Sequence, residues 1–364
     1  MYDSPASIRR LALRPGRRIL VTSDIHGNLE YFRGALDKAV FTPADELIIN
    51  GDFLEKGEQS LETLRFIMEL SRFGNVHAIR GNCDDWHSVF EYSPEGDSRL
   101  LRYMQWRRSG LLWEMFRGLG IDPMELESIS PYKERLHAYD REFEFLASLP
   151  DAIETERFIF VHAGCDPSRP LEQHSRGELN RIDRFLDLGY SFEKWLVVGH
   201  YPVTLYWEDR VCANPVILRD RKIISIDGAC VLKDDGQLNV LIIPPGEGDD
   251  FFWTGYDNFP ERRVLEDQAE SRSSYYIRWG DSQVQVLERG EEFSRCRHIR
   301  TGYEMDILTK YLFSGEDICG CNDCTDYVLP LKAGDTVRVV EESSRGYFVK
   351  HEGYSGWYYG ELEK

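Results

Sequence analysis

Along roughly the first 245 residues, short apolar runs rich in β-branched side chains alternate with turns that carry His, Asp or Asn. "RRILVTSDIHGN" is the first such unit, "DELIINGDFLEKG" the second and "NVHAIRGNCDD" the third. "RFIFVHAGCD", "KWLVVGHYPV" and "KIISIDGAC" follow. Short apolar runs closed by Gly-bearing turns predict buried strands. Between the early runs, residues 28–40 and 58–73 place apolar positions at helical spacing. Strand and helix in alternation predict an α/β core.

Residues 86–150 break the rhythm. They are helical in character and rich in large residues (Met104, Trp106, Trp113, Met115, Phe116). The segment is too long for a simple connection and reads as a helical insertion. It leaves from the end of a site-bearing strand, so it is expected near the mouth of any site there. "IIPPGEGDD" (242–250) is a cluster of breakers and sets the expected boundary of a first domain, 1–250. Residues 251–327 read as all-β, and 328–364 give three short alternating strands with Gly-containing turns. The chain has no long-period repeat.

The 364 residues allow one large domain and one or two small ones. With 42% hydrophobic and 29% charged residues, the chain can bury a core and is not of the disordered class. Its formal net charge of −19 argues against nucleic acid as a general partner, because binding polyanions relies on Lys and Arg. The first residues contain no apolar signal core. No window approaches the roughly 18 apolar residues of a membrane helix. A soluble, cytoplasmic protein with no membrane partner is expected. Five cysteines are scattered (Cys83, Cys165, Cys212, Cys230, Cys296), which is not a disulfide framework. The other three cluster in "CGCNDC". Cys319, Cys321 and Cys324, with Cys296 or His298 as a fourth ligand, are a candidate structural Zn²⁺ site.

The polar residues of the first domain sit at the carboxyl ends of the predicted strands, and in open α/β sheets those ends share one edge. Asp24, His26, Asp52, Asn82, His162 and His200 can therefore converge despite their separation in sequence. Carboxylate, imidazole and amide oxygen together suit Mn²⁺, Fe or Zn²⁺. One carboxylate between two groups of ligands can bridge two ions, and two ions about 3.5–4 Å apart can activate water and neutralise a phosphoryl group.

The series "DIHGN", "GDFLEKG", "GNCD", "VHAG" and "VVGHYPV" resembles the calcineurin-like metallophosphoesterase superfamily. Its order, and the later "ISIDGAC", are most similar to the bacterial phosphoprotein phosphatase branch, which includes diadenosine-tetraphosphate hydrolase relatives. The resemblance covers roughly residues 17–245. It implies a four-layer α-β-β-α sandwich and two divalent ions, Mn²⁺ first and Fe or Zn²⁺ next. It also implies that Asp24 and His26 hold one metal, that Asp52 bridges, and that Asn82, His162 and His200 hold the second. A hydroxide between the metals would attack phosphorus. The expected substrate is a phosphorylated protein or a small phosphate ester.

Two motifs depart from the family pattern. Where phosphatases read Gly-Asp-x-x-Asp-Arg-Gly, this chain has Glu55 and Lys56 in the Asp and Arg places. Where they read Gly-Asn-His-Glu, it has Cys83 and Asp84. The family His protonates the leaving group and is held by the Asp, so Glu55 is a candidate catalytic residue with an altered partner. Lys56 is a candidate phosphate ligand, as a point charge and not as a fork. Cys83 is a poor acid, because a thiol is a weak hydrogen-bond donor and dications strip its proton. His87, one helical turn further on, is the candidate acid, with an unperturbed pKa of about 6.5 that suits the task. Alternatively no acid is needed for a good leaving group. The family also adds an Arg before the last metal His, and here Arg181 and Arg184 are both candidates.

Three functional readings follow. The first is a Ser/Thr protein phosphatase-like phosphomonoesterase. The second, favoured by "GNCD", is a phosphodiesterase or dinucleoside polyphosphate hydrolase. The third is a catalytically silent module that binds metal and a partner. The C-terminal "AGDTVRVVEESSRGYFVKHEGYSGWYYGELEK" resembles a bacterial SH3-type barrel. That likeness implies a contact through Trp357, Tyr358 and Tyr359, either within the chain or with a peptide.

Overall fold

The computed structural model describes residues 4–86, 94–313 and 317–363. They divide into two compact units. The first holds most of residues up to Asp257. The second is built from Val203–Asn214, Lys233–Asp235 and Asn258 onward.

The first unit is a sandwich of two sheets. One has strands β2 (Ile19–Thr22), β3 (Glu46–Asn50), β4 (Val76–Ile79), β11 (Leu238–Ile243) and β12 (Phe252–Tyr256), in the order β12-β11-β2-β3-β4. The other has β1 (Ile8–Arg10), β5 (Ala152–Glu154), β6 (Phe158–Val161), β7 (Trp195–Val198), β9 (Val216–Leu218) and β10 (Ile223–Ser225), in the order β1-β5-β6-β7-β10-β9. β2, β3 and β4 are parallel, as are β6, β7 and β10. Their carboxyl ends are where the predicted site residues begin.

The sequence "ILVT" and "ELIIN" is buried throughout because each strand is covered on both faces. Alternate side chains point to opposite faces. Val21, Ile48 and Ile79 pack with Phe160, Val197 and Ile224 between the sheets. Leu20, Leu47, Ile49 and Ala78 join the core formed with α1 (Leu29–Lys38) and α2 (Ser60–Ser71). The same core takes in α3 (Pro94–Arg107), α4 (Leu111–Gly118), α5 (Lys133–Leu136) and α6 (Asp140–Ser148), so the 86–150 segment is helical where it is described. Met104, Met115 and Phe116 are buried there, while Trp106 is exposed. In the second half of the unit the described helical segments are α7 (Arg176–Asn180) and short 3₁₀ turns. Among the described residues no helix is long and apolar enough to cross a membrane.

The second unit is β-rich. A five-stranded sheet has the order β13-β20-β21-β22-β8, from β8 (Val211–Cys212), β13 (Glu261–Arg263), β20 (Thr336–Ser343), β21 (Gly346–His351) and β22 (Tyr354–Tyr358). A four-stranded sheet has the order β17-β16-β15-β18, from β15 (Gln283–Glu288), β16 (Phe293–His298), β17 (Glu304–Leu308) and β18 (Ile318–Gly320). β14 (Tyr276–Ile277) pairs with β19 (Cys324–Thr325). The last 37 residues supply only β20–β22. Both edge strands of their sheet come from distant segments, and these edges do not pair with each other, so no closed barrel forms among the described residues. Tyr358 is fully buried, with its hydroxyl on the Glu266 carbonyl, and the Trp357 indole donates to the Thr325 carbonyl. They are core residues and not the lining of a groove.

The thiols Cys319 and Cys321 lie in an apolar cluster with Cys296, and the Cys321 and Cys324 sulfurs are 4.0 Å apart. His298 is not free to join them: Nδ1 meets Thr301 Oγ1 at 2.8 Å and Nε2 meets the Asp281 carbonyl at 3.0 Å. Among the described residues no three of these groups bring their ligand atoms together.

One buried ionic network ties the first unit together beneath the third motif. Arg80 is 1% exposed and donates to Asp151 at 2.8 Å and to the Leu146 carbonyl at 3.0 Å. Asp151 also accepts from the Ser7 amide, and Arg176 bridges Asp151 and Asp85 at 3.2 Å each. Removing one partner of such a pair leaves a buried charge unpaired, at about 3–5 kcal/mol. Asp151→Ala is therefore expected to lower unfolding stability by about that amount in urea titrations. A loss below ~1 kcal/mol would show that the network carries no weight.

Candidate metal centre

Asp24 and His26 follow β2, Asp52 follows β3, Asn82 follows β4, His162 follows β6 and His200 follows β7. The first two loops run side by side beyond their strands. Asp24 N donates to Gly51 O, His26 N to Asp52 O and Gly27 N to Phe53 O, all at 2.9–3.0 Å. To turn inward, Asp24, His26, Asp52 and His200 adopt left-handed backbone, with φ of 57°, 50°, 50° and 67°. Such φ values are uncommon outside glycine and gather at functional sites. Asn28 ends the first loop by capping α1, its side chain accepting from the Tyr31 amide. Two glycines are required by close approach. A Cβ at Gly81 would lie 2.1 Å from Asp52 Oδ1, and one at Gly199 would lie 2.3 Å from Asp24 Oδ2.

The electrostatics of the cluster follow from its hydrogen bonds. His26 Nδ1 lies 3.2 Å from the Leu54 carbonyl, and His162 Nδ1 lies 3.0 Å from the Asn50 carbonyl. A carbonyl only accepts, so both Nδ1 atoms carry their proton. In the neutral ring Nε2 is then a lone pair. His26 Nε2 is buried without a hydrogen-bond partner, 3.9 Å from Asp24 Oδ1 and 4.0 Å from Asp52 Oδ2. His162 Nε2 is 3.3 Å from both Asp52 Oδ1 and Asn82 Oδ1. With both rings neutral these are acceptors aimed at acceptors, and positive charge between them, a metal ion or a second proton on His162, satisfies them. A backbone carbonyl on the far nitrogen is also how a metal-binding His is usually oriented.

Asp52 belongs to both groupings of donor atoms that lie within 4.8 Å of one another, one with His26 and Cys83, the other with His162 and His200. It is thus shared by two candidate donor groupings. The oxygen and imidazole donor set fits two divalent ions. Burial, then repulsion from Lys56, hold His26 neutral down to about pH 3. Burial opposes a proton on His162, but Asp52 outweighs it and raises that pKa to about 10. Burial, countered by His162 and reinforced by Asp52, raises Asp24 to about 6.

The six expected ligands converge. Lys56 is half-buried with them, and its ammonium interacts with Cys83, Asp52, Asp24 and Asp227. Glu55 does not join them. Its carboxylate is turned into the insertion, where Oε1 accepts the Leu111 amide at 2.8 Å. Arg184 is bound to Asp187 at 2.6 Å and to Tyr201, beside His200. Arg181 lines a separate open cavity with His174 and Tyr190. His87 lies outside the described residues.

Four residues around the cluster had no role assigned from sequence. Asp84 accepts the amides of Asp52, Gly81 and Leu54 at 2.7, 2.8 and 3.1 Å, and so clips the third loop to the second. Asn50 spans the sheets, its amide donating to the carbonyls of Val161 and Val197. Asp183 meets His200 Nε2 at 3.2 Å. Asp227, from "ISIDGAC", is fully buried with Oδ2 unpartnered, and Asp24 repels its charge. The acidic residue after "GNC" and the Asp of "ISIDGAC" were the available signals for two of them.

The insertion grips the second loop at three points. Besides Leu111 on Glu55, Arg107 donates to the Lys56 carbonyl at 2.8 Å. Glu114 accepts the Ser60 and Leu61 amides at 2.8 Å each, capping α2 from outside, since Gln59 makes no side-chain cap.

The family model for calcineurin-like phosphoesterases matches residues 17–227, more than half of the chain. The symmetrical bis(5'-nucleosyl)-tetraphosphatase of Azotobacter vinelandii is 40% identical over 67 residues, 18% of this chain and 24% of that protein. The corresponding protein of Psychromonas ingrahamii is 24% identical over 192 residues, 52% of this chain and 58% of that one. The chain thus spans a quarter to somewhat over half the length of these relatives. The asymmetrical bis(5'-nucleosyl)-tetraphosphatase PrpE of Bacillus subtilis is 25% identical over 240 residues, 58% of this chain and 85% of that protein. A Saccharomyces cerevisiae serine/threonine phosphatase structure aligns with a TM-score of 0.42 at 14% identity, covering 71% of this chain and 85% of that one.

The Glu114 cap has a pH signature. Burial raises its pKa to about 7, against the lowering effect of the Leu61 and Ser60 amides. The folded state therefore binds this proton more tightly than the unfolded chain, whose value is near 4.5. Its contribution is full below that value and declines as pH rises to about 7. The stability of the wild type relative to Glu114→Gln should fall between pH 4.5 and 7 in urea titrations. A difference that is flat or rising across that window would contradict this account.

Proposed function

Since the chain belongs to the calcineurin-like phosphoesterase family, we propose that it is a dinuclear metal-dependent phosphoesterase acting on phosphomonoesters in the manner of Ser/Thr protein phosphatases. The observation that carries this reading is the Asp52 carboxylate between two sets of donors, with two buried imidazoles aimed at it. Asp24 and His26 would hold one divalent ion, Asn82, His162 and His200 the other, and Asp52 would serve both. Mn²⁺ suits this mixture of oxygen and imidazole ligands. Two bound dications supply Lewis-acid activation of water and neutralise the charge of the phosphoryl group.

The protein's own residues do the rest. The carbonyls of Leu54 and Asn50 fix the tautomers of His26 and His162 so that both present Nε2. Asp84 and Gly81 set the separation of the second and third loops. Lys56 holds a positive charge at the cluster, where it binds a phosphate oxygen as a point charge. A catalytically silent module is the weaker reading, because a binding module has no need of a full water-activating ligand set.

A second reading rests on the tetraphosphatase relatives and on Cys83 in the place of the family's acid. Nucleotide leaving groups need little protonation, so dinucleoside polyphosphates or diesters are the alternative substrates.

The test compares p-nitrophenyl phosphate with bis-p-nitrophenyl phosphate under Mn²⁺. The monoester should be preferred. Asp52→Asn and His162→Ala should lose on the order of 10³-fold or more in kcat, about 4 kcal/mol of barrier. Preference for the diester would move the assignment to the second reading. Full metal occupancy with no turnover of either ester would leave the silent module.

A further inference from the structure

Four thiols of the β-rich unit take no part in the phosphoesterase reading. Cys296, Cys319 and Cys321 lie in one apolar cluster, and Cys324 packs against it. Two of the four are set up to react with each other. Only Asn322 and Asp323 separate Cys321 from Cys324, and the two sulfurs are 4.0 Å apart. Sulfurs in a disulfide are about 2 Å apart, so a closing movement of about 2 Å makes the bond.

The backbone holds this turn at both ends. The Cys321 amide donates to the Ser282 carbonyl at 3.0 Å, and Cys321 also bridges to Leu312. At the other end Cys324 pairs with Ile277 where β19 meets β14. Within the turn, Asp323 Oδ2 accepts from the Tyr276 hydroxyl at 2.8 Å and pairs with Lys233. The turn thus runs from β18 in the four-stranded sheet to β19 in the two-stranded one. Exposure separates the four thiols further. Cys296, Cys319 and Cys321 are buried, whereas Cys324 is half-buried. Cys324 is therefore the thiol that a small oxidant can meet, and Cys321 lies directly behind it. Hydrogen bonding to Cys321, then burial, raise the Cys324 thiol well above the usual thiol range. The thiolate is the nucleophile, so exchange at neutral pH is slow.

Independently of the phosphoesterase reading, we propose that Cys321 and Cys324 are a reversible two-electron redox site whose oxidant is a small disulfide of the glutathione type. The Cys324 thiolate attacks one sulfur of glutathione disulfide, breaks its S–S bond and releases one glutathione thiolate. The Cys321 thiolate then attacks Cys324 Sγ, closes the protein disulfide and expels the second glutathione. Two protein thiols are oxidised and one glutathione disulfide is reduced. The two thiol protons pass through solvent to the two departing thiolates. An excess of a dithiol reductant reverses both steps. The bond staples β18 to β19 across the turn that carries Asp323.

The experiment takes the full chain, reduces it, and holds it with excess glutathione disulfide until no further change occurs. Free thiols are then alkylated in denaturant with N-ethylmaleimide and located by mass spectrometry of peptides. In the wild type Cys321 and Cys324 should lose alkylation together, and the peptide that spans them should be lighter by two hydrogens. Cys296 and Cys319 should keep their alkylation. Dithiothreitol should restore Cys321 and Cys324. Cys321→Ser should stop at a glutathione adduct on Cys324, and Cys324→Ser should leave Cys321 a free thiol. Full alkylation of Cys321 and Cys324 at equilibrium, or a cross-link that involves Cys296 or Cys319, would overturn the assignment, and both are read on the wild type whether or not the variants fold. So would an adduct on Cys321 in Cys324→Ser, or zinc bound to the reduced wild type and lost in Cys321→Ser, measured as metal content.

Discussion

The first unit is organised around a set of buried acceptors that face one another. Asp24, Asp52, Asn82 and the Nε2 atoms of His26 and His162 meet at one sheet edge, and the Nδ1 proton of each ring is committed to a backbone carbonyl. Burying unpaired polar groups is costly, and burying like charges more so. Such an arrangement persists only if the scaffold is rigid and positive charge is brought in. Lys56 provides one such charge from the chain itself. His162, where Asp52 outweighs burial and raises the pKa, holds a second, and bound divalent cations, for which the donor chemistry is suited, would take over that role.

Much of the surrounding structure meets this demand. The left-handed residues Asp24, His26, Asp52 and His200 are held in place by hydrogen bonding between adjacent loops, notably His26 to Asp52 and His200 to Asp24. Asp84 gathers three amides from two loops, and Asn50 stitches one sheet to the other. Below them, Arg80, Asp151, Arg176 and Asp85 form an ionic network that fixes the third loop from behind. The apolar layer between the sheets, with Val21 and Ile48 against Phe160 and Val197, supplies the stiffness on which these contacts rest.

The insertion is part of the same machinery. Arg107, Leu111 and Glu114 all engage residues 55–61, the loop that departs from the family's usual pattern. Glu55 is longer by one methylene than the family's Asp, and it reaches outward to the start of α4 instead of inward. The altered motif and the extra segment are thus in direct contact. The β-rich unit has its own cores, one around Val337 and Val349 and another around Cys296 and Cys321.

The sequence alone determined the buried strands and the residues at their ends. A run such as "ELIIN" followed by "GD" has few other ways to fold once helices flank it, and six such runs leave their polar residues at one edge. The convergence of Asp24, His26, Asp52, Asn82, His162 and His200 was therefore legible, as was the helical character of 94–148. Direction of side chains was not. That Glu55 faces the insertion and that Asp84 is a clip depend on packing between segments far apart in sequence. The expected barrel of 328–364 was not found as a closed sheet for the same reason. Local alternation specified its three strands, but their edge partners, Glu261–Arg263 and Val211–Cys212, come from elsewhere. Periodicity fixes which face of an element is apolar. Only tertiary structure decides which distant element covers it.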